Sequence, residues 1–172
     1  MRLTSQLVVR PAILSDAPRI AAIYSEAILA RNATMILDPV TVDQMSQKIQ
    51  SLHVRESLLV ASLPDEPIAG WGIVKFYSER PGYAKACETS LFIDANFRGQ
   101  GLGTALQIQL IEAARKADFH HILVRIWAQN TSSISLHEKL GFTLVGVQKE
   151  IGHVDSKWVD VAIMQYLFEP VR

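Results

Sequence analysis

Arg98-Gly99-Gln100-Gly101-Leu102-Gly103 is the stretch of this sequence that says most about the fold. A β-rich run ends just before it, at Asp94-Ala95-Asn96, and a long helical pattern over 101–117 follows it. The stretch therefore joins a strand to a helix start, where backbone N–H groups lack partners and the helix dipole is positive. Glycines there let the backbone approach a bound group without an intervening Cβ. The pattern indicates a phosphate or pyrophosphate site, with Arg98 and Thr104 as further donors.

The glycine spacing by itself leaves a plainer interpretation open, namely a Gly-rich turn that only connects strand to helix. The spacing is not GxGxxG, and no acidic residue ends a strand about 20 residues later, so a Rossmann-type dinucleotide site is disfavoured. No Gly-Lys-Ser/Thr follows the turn, which excludes a Walker phosphate loop.

Length and composition favour one compact domain over residues 1–172, because 49% of the 172 residues are apolar. The charges balance at 17 basic against 17 acidic residues, so no long-range field would attract nucleic acid or an anionic membrane. The single cysteine, Cys87, excludes an intrachain disulfide framework and a cysteine-rich zinc site. Met1–Val9 lacks a signal-peptide pattern and no run reaches the roughly 20 apolar residues of a membrane span, so we expect a cytoplasmic protein.

Hydrophobic periodicity predicts the element order β-α-α-β-β-β-α-β-α-β-β. The predicted strands are 7–9, 57–63, 68–76, 86–93, 121–127, 143–150 and 158–168, and the helices are 16–30, 42–52, 101–117 and a short one that ends at Gly141. Ser15 and either Ser132 or Ser133 are the predicted N-caps of the first and last helices, and Thr41 with Gln44 forms a capping-box pattern. The polar segment 152–157 is predicted to link the last two strands.

Arg98, Gly101 and Gly103 match the Arg/Gln-x-x-Gly-x-Gly/Ala pattern, and Trp127-Ala128-Gln129-Asn130 and 135–142 follow downstream. Together these stretches resemble the motifs of the Gcn5-related N-acetyltransferase (GNAT) family. The resemblance implies a mixed α/β fold, a twisted and mostly antiparallel sheet of about seven strands flanked by about four helices. Arg10-Pro11-Ala12, 86–90 and 157–161 make the chain similar to the branch that acetylates phosphinothricin and methionine sulfoximine.

This resemblance also implies a cofactor site. Acetyl-CoA is expected in a V-shaped opening between strands 86–93 and 121–127, with no metal. The pantetheine arm would bind the backbone of Leu91, Phe92 and Ile93; the pyrophosphate would bind Arg98, Gly99, Gln100, Gly101, Leu102, Gly103 and Thr104; and Asn130 with Ser132 or Ser133 would contact the cofactor further along. The resemblance further suggests a homodimer.

Two side chains are candidates for the chemistry of acetyl transfer. Glu88 lies in the otherwise uncharged run 86–93, and its family counterpart is commonly the general base; the alternative is a surface glutamate on an amphipathic strand. His137 stands where relatives carry a residue that protonates the leaving thiolate; the alternative is a helix histidine that packs or caps. Cys87 should face away from Glu88, so we expect a buried core residue rather than a nucleophile.

The acceptor is expected to be a small-molecule amine, an amino acid or an analogue, whose carboxylate needs a cation or several donors. The candidate substrate residues are Asn32, Thr34, Arg80, Tyr83, Lys85, His153, Lys157 and Trp158. Two other functions stay open from the sequence: acetylation of a protein or peptide, and a non-catalytic module that binds acetyl-CoA.

Overall fold

A computed structural model of the chain describes residues 7–64 and 67–169. Within them the helices are α1 (Ala17–Leu29), α2 (Val42–Gln50), α3 (Leu102–Lys116) and α4 (Thr131–Lys139), and the strands are β1 (Val8–Pro11), β2 (Ser57–Ser62), β3 (Ile68–Phe76), β4 (Ala86–Ile93), β5 (His121–Trp127), β6 (Thr143–Val154) and β7 (Lys157–Leu167). The predicted element order is confirmed. None of the described helices is long and apolar enough to cross a membrane.

The strands form one sheet in the order β1-β2-β3-β4-β5-β7-β6. Every neighbouring pair is antiparallel except β4 and β5, which are parallel. This exception follows from the connection, because α3 carries the chain from the end of β4 back to the start of β5. The mixed, mostly antiparallel sheet predicted from the family resemblance is therefore confirmed.

Helices cover both faces of the sheet and enclose two apolar cores. On one face α3 packs Leu106 and Leu110 against Ile122 of β5 and Cys87 of β4. On the other face α1 and α2 pack against β2 and β3, with Trp71 near the centre. Burial raises the pKa of the Cys87 thiol to about 12, so this side chain is a core residue and carries no thiolate at neutral pH.

Two predicted helix caps are wrong, and one is right. The residue that caps α4 is Asn130, whose Oδ1 accepts from the Ser133 backbone N–H at 3.2 Å, so neither serine is the cap. Asp16, not Ser15, precedes α1, and its carboxylate instead receives the Ile13 N–H and a bidentate Arg10. The capping box of α2 is confirmed.

Both ends of the sheet run further than the sequence predicted. Strand β1 includes Pro11, which an edge strand tolerates because one side of its backbone needs no N–H. The predicted linker 152–157 is a tight hairpin, in which β6 continues to Val154 and β7 starts at Lys157. Asp155 and Ser156 adopt φ angles of 47° and 61°, the left-handed pair that a two-residue hairpin turn requires.

The turn after β4 contains a buried ion pair that should make stability depend on pH. Asp94 is 4% exposed; it accepts from the Asn96 N–H at 2.8 Å and from Arg19 Nη2 at 2.5 Å. Burial alone would raise the pKa of Asp94, but these hydrogen bonds outweigh it and hold the pKa below its ordinary value. The folded state therefore binds this proton less readily than the unfolded chain.

The Asp94 contribution should be complete above about pH 5, where the unfolded carboxyl is ionised, and should disappear as the pH falls through the lower folded-state value. We expect Asp94→Asn to lower the free energy of unfolding at pH 7 by about 1–3 kcal/mol and to flatten its fall below pH 4. Urea unfolding at pH 7 and pH 3 measures both effects. The exposed Asp38→Asn is the matched control, and an acid dependence equal to that of the parent protein would contradict the assignment.

Candidate functional site

The sheet opens between its two parallel strands. Strands β4 and β5 pair only where Ala86–Glu88 lies beside His121–Leu123. Beyond that point β4 continues to Ile93 and β5 to Trp127 without pairing, while their outer edges remain bonded to β3 and β7. The inner edges thus present backbone N–H and C=O groups to a V-shaped opening, as the family resemblance predicted.

A cleft of about 630 Å³ lies in this opening and at the start of α3, within the usual size range of ligand pockets. It is lined by all but one of the predicted cofactor residues: Leu91, Phe92, Ile93, Arg98, Gly99, Gly101, Leu102, Gly103, Thr104, Asn130, Ser132 and Ser133. The exception is Gln100, whose Nε2 donates to the Asn96 carbonyl at 3.4 Å. The predicted cofactor residues thus come together along one cleft, whose wall also includes Ala27, Ala33 and Phe97, which the sequence did not predict.

The glycine turn forms one end of the cleft. Gly99 and Gly101 have φ angles of 74° and 86°, and a Cβ built on either would meet no atom within 4 Å. The first N–H of α3 to bond within the helix is that of Ala105, which donates to the Gly101 carbonyl at 3.0 Å. The N–H groups of 102–104 are thus available to a ligand. This cradle fits a pyrophosphate.

Gly103 serves a different purpose from the other two glycines. A Cβ at this position would lie 3.1 Å from Leu136 Cδ1 of α4. Its missing side chain therefore lets α3 and α4 approach each other beside the cleft. The sequence predicted close approach to phosphate at all three glycines, and helix packing accounts for the third.

Glu88 lies at the apex of the opening, as the last β4 residue that pairs with β5. Its side chain is 14% exposed, and Oε2 lies 2.5 Å from Arg125 Nη1 and 3.8 Å from Lys75 Nζ. The run that surrounds Glu88 in sequence is uncharged, but its neighbours in space are two cations from the adjacent strands. Among the hydrogen bonds of the described residues, none uses Oε1 of Glu88, and this oxygen remains free to accept a proton.

His137 lies behind the cleft wall rather than in it. The residue is 4% exposed, its ring packs edge-on against Phe142, and its Nδ1 lies 2.8 Å from the Ser133 carbonyl. Because a carbonyl only accepts, Nδ1 must carry the proton of the neutral ring, and Nε2 then has none to donate. Burial lowers the pKa of His137, although the Ser133 carbonyl opposes this effect. This environment favours the packing role that the sequence left open.

The predicted substrate residues fall into three segments. Asn32 lines the cleft, and the rest of its loop contacts the β6–β7 hairpin through an Arg31–Asp155 ion pair of 3.3 Å. Thr34 Oγ1 accepts a hydrogen bond from the Ile36 N–H, and the His153 and Trp158 rings lie 4.7 Å apart. Lys157 is the first residue of β7, and Arg80 and Tyr83 lie in the β3–β4 loop. Lys85 pairs with Asp118. The structure thus joins the first loop to the hairpin, and it places Lys85 against a surface carboxylate instead.

Sequence reasoning missed the cations around Glu88. Arg125 and Lys75 each interrupt an apolar strand with a charge, which was the available signal. Their proximity to Glu88 depends on strand register, which the sequence did not supply. Within residues 7–64 and 67–169, no group of three or more His, Cys, Asp or Glu side chains is placed to hold a metal.

A splayed parallel strand pair beside a glycine cradle defines the acetyl-CoA-binding class of fold, and comparisons with known proteins agree. The profile described as "Acetyltransferase (GNAT) family" matches residues 27–142. The chain is 31% identical over 95% of its length to an L-methionine sulfoximine/L-methionine sulfone acetyltransferase of Pseudomonas paraeruginosa, 96% of which is covered. The chain therefore belongs to the GNAT family and is an acetyl-CoA-dependent N-acetyltransferase.

Two solved structures are similar over nearly the whole chain. A phosphinothricin acetyltransferase of Sinorhizobium meliloti in complex with acetyl-CoA has a TM-score of 0.89 and 28% identity. The match covers 94% of this chain and 88% of the Sinorhizobium chain. A ribosomal-protein-alanine N-acetyltransferase of Brucella melitensis has a TM-score of 0.88 and 28% identity. The match covers 94% of this chain and 99% of the Brucella chain. Shared architecture thus serves both small and protein acceptors.

Proposed function

We propose that this enzyme acetylates the α-amine of a small amino acid or analogue, of the methionine sulfoximine, methionine sulfone or phosphinothricin type. The position of Glu88 carries the proposal: its carboxylate lies at the apex of the opening, with one oxygen held by cations and the other free. The whole-length similarity to a methionine sulfoximine/methionine sulfone acetyltransferase supports the choice of acceptor.

In the proposed reaction the amine nitrogen attacks the thioester carbonyl carbon, so that an N–C bond forms and the C–S bond breaks. Glu88 Oε1 accepts the proton that the amine loses, directly or through water. The cleft-facing edge of Leu91–Ile93 holds the pantetheine arm, and the free N–H groups at the start of α3 hold the pyrophosphate. Acetyl-CoA supplies the activated acetyl group.

The leaving thiolate must receive a proton, and we assign this step to water rather than to His137. Thiols ionise near pH 8.5, so the departing sulfur is protonated by solvent without strong assistance. A buried neutral ring whose proton is bonded to the Ser133 carbonyl offers none at Nε2. The acid role that the sequence suggested for His137 is tested with His137→Phe.

A protein amine is the second candidate acceptor, because the similar structure from Brucella melitensis is named a ribosomal-protein-alanine N-acetyltransferase. A peptide N-terminus has an amine but no neighbouring carboxylate. The cations beside Glu88 therefore suit a free amino acid better than a peptide. A module that only binds acetyl-CoA would not need a carboxylate held by cations at the apex of the opening.

A thiol-release assay with acetyl-CoA tests the proposed function. The panel contains phosphinothricin, methionine sulfoximine, methionine sulfone, ordinary amino acids, polyamines and a peptide N-terminus. We expect turnover of an amino-acid analogue, and we expect His137→Phe to retain most of its kcat. Preferential turnover of the peptide would establish the second candidate, and a loss of more than about 100-fold in the His137 variant would restore its acid role.

Assembly and location extend the proposal. A homodimer is supported by the edge strand β6, which exposes Leu144, Val145, Val147 and Ile151, an apolar surface that a second copy would cover. A cytoplasmic location stays a prediction from the single cysteine.

A further inference from the structure

Arg125 of β5 takes no part in the proton transfer proposed for Glu88, but it lies beside that carboxylate. Alternate β5 residues Ile122, Val124 and Ile126 are buried in the core beneath α3, so Arg125 lies on the opposite face with Glu88. It also lies two residues beyond Leu123, the last β5 residue paired with β4. Its guanidinium therefore stands where the two strands begin to separate.

The guanidinium retains donors for a ligand. Its side chain is 44% exposed, and its one hydrogen bond among the described residues runs from Nη1 to Glu88. The Tyr77 ring lies 5.8 Å from its central carbon and supports it from one side. The pair with Glu88 therefore uses only part of the hydrogen-bonding capacity of Arg125.

Glu88 and Arg125 together present two opposite charges side by side at the apex of the opening. An α-amino acid carries the complementary pair, an amine and a carboxylate on one carbon. The free Oε1 of Glu88 suits the amine, and the unused Nε and Nη2 of Arg125 form a planar fork that suits a carboxylate. Lys75, at 3.8 Å from Oε2, steadies Glu88.

We propose that Arg125 binds the α-carboxylate of the acceptor while Glu88 receives its amine, an inference that rests on the proposed function. The enzyme then selects amino acids with a free carboxylate over their amides, esters and decarboxylated amines. This assignment replaces the loop cations Arg80, Lys85, His153 and Lys157 as the main carboxylate contact.

The test compares kcat/KM for the best amino-acid substrate of the panel and for its α-carboxamide. We expect the parent enzyme to prefer the acid, and Arg125→Gln to reduce the acid-to-amide ratio by about 10- to 100-fold, the value of a charge-assisted hydrogen-bond pair. The acid-to-amide ratio of Arg125→Lys should fall between the ratios of the parent enzyme and of Arg125→Gln. The ratio is independent of the folded fraction and of any general loss from a displaced Glu88, because both substrates are measured on one preparation.

Arg115→Gln, on the outer face of α3, is the matched arginine control and should keep the parent ratio. An unchanged ratio in Arg125→Gln overturns the inference, as does a ratio that collapses in Arg80→Gln but not in Arg125→Gln. If the parent enzyme acetylates no amino acid, the proposed function fails and this inference fails with it. If the parent enzyme acetylates the acid but the acid-to-amide ratio is unchanged in Arg125→Gln, the inference about Arg125 fails and the proposed function stands.

Discussion

Glu88→Gln should lower kcat by about 10²- to 10⁴-fold, the usual contribution of a positioned general base. Glutamine matches the size of glutamate and keeps an oxygen for Arg125, but it cannot take a proton from the amine. Glu88 is not among the residues that line the cofactor cleft, so acetyl-CoA affinity should stay within about twofold of the parent value. Steady-state kinetics and calorimetric titration with acetyl-CoA measure the two quantities.

The comparison variant for Glu88 is Glu112→Gln on the exposed side of α3, which removes an equivalent charge from the surface and should leave kcat unchanged. The limb of the pH–rate profile that reports the base should also vanish in Glu88→Gln. Retention of the parent kcat and of that limb would remove Glu88 from the mechanism and leave water as the base.

Gly101→Val should weaken acetyl-CoA binding by at least about 100-fold, because two effects act together. A β-branched residue is strained at a φ of 86°, and its side chain would extend into the open space beside the turn, which lines the cleft. Binding is measured by calorimetric titration, and thermal unfolding confirms that the variant is folded.

Two further variants separate strain from obstruction at Gly101. Asn tolerates left-handed backbone better than Val, so Gly101→Asn should unfold at a temperature closer to the parent while still obstructing the cradle. Gly146 lies in open space on β6 and has no positive φ, so Gly146→Ala should alter neither the unfolding temperature nor the affinity for acetyl-CoA. Parent-like acetyl-CoA affinity in a folded Gly101→Val protein would place the pyrophosphate elsewhere.

Local chemistry in the sequence was enough to predict much of this molecule. The turn 98–103, the capping box at Thr41 and the apolar run of β4 are short-range patterns whose meaning depends on adjacent residues. The left-handed C-cap at Gly141 is of the same kind, with a φ of 92°. For that reason most of the residues that line the cleft could be predicted as cofactor contacts, although Gln100 turns away and Ala27, Ala33 and Phe97 of the lining were not predicted.

Long-range register is what the sequence lacked. Glu88 acquires Arg125 and Lys75 as neighbours only because β4 pairs with β3 on one side and with β5 on the other at particular offsets. Similarly, the hairpin turn at Asp155–Ser156 replaced a predicted linker, since two non-glycine residues took up positive φ to let β6 and β7 continue pairing.

The sequence by itself determined the fold class and marked the glycine turn and Glu88 as candidates, because these reside in contiguous motifs. Only the tertiary structure decided that His137 is buried behind the cleft, that Gly103 serves helix packing, and that Arg125 stands beside Glu88. Each of these depends on the distance between residues on different elements. The packing of α3 and α4 on the sheet sets that distance, and no local pattern in the sequence does.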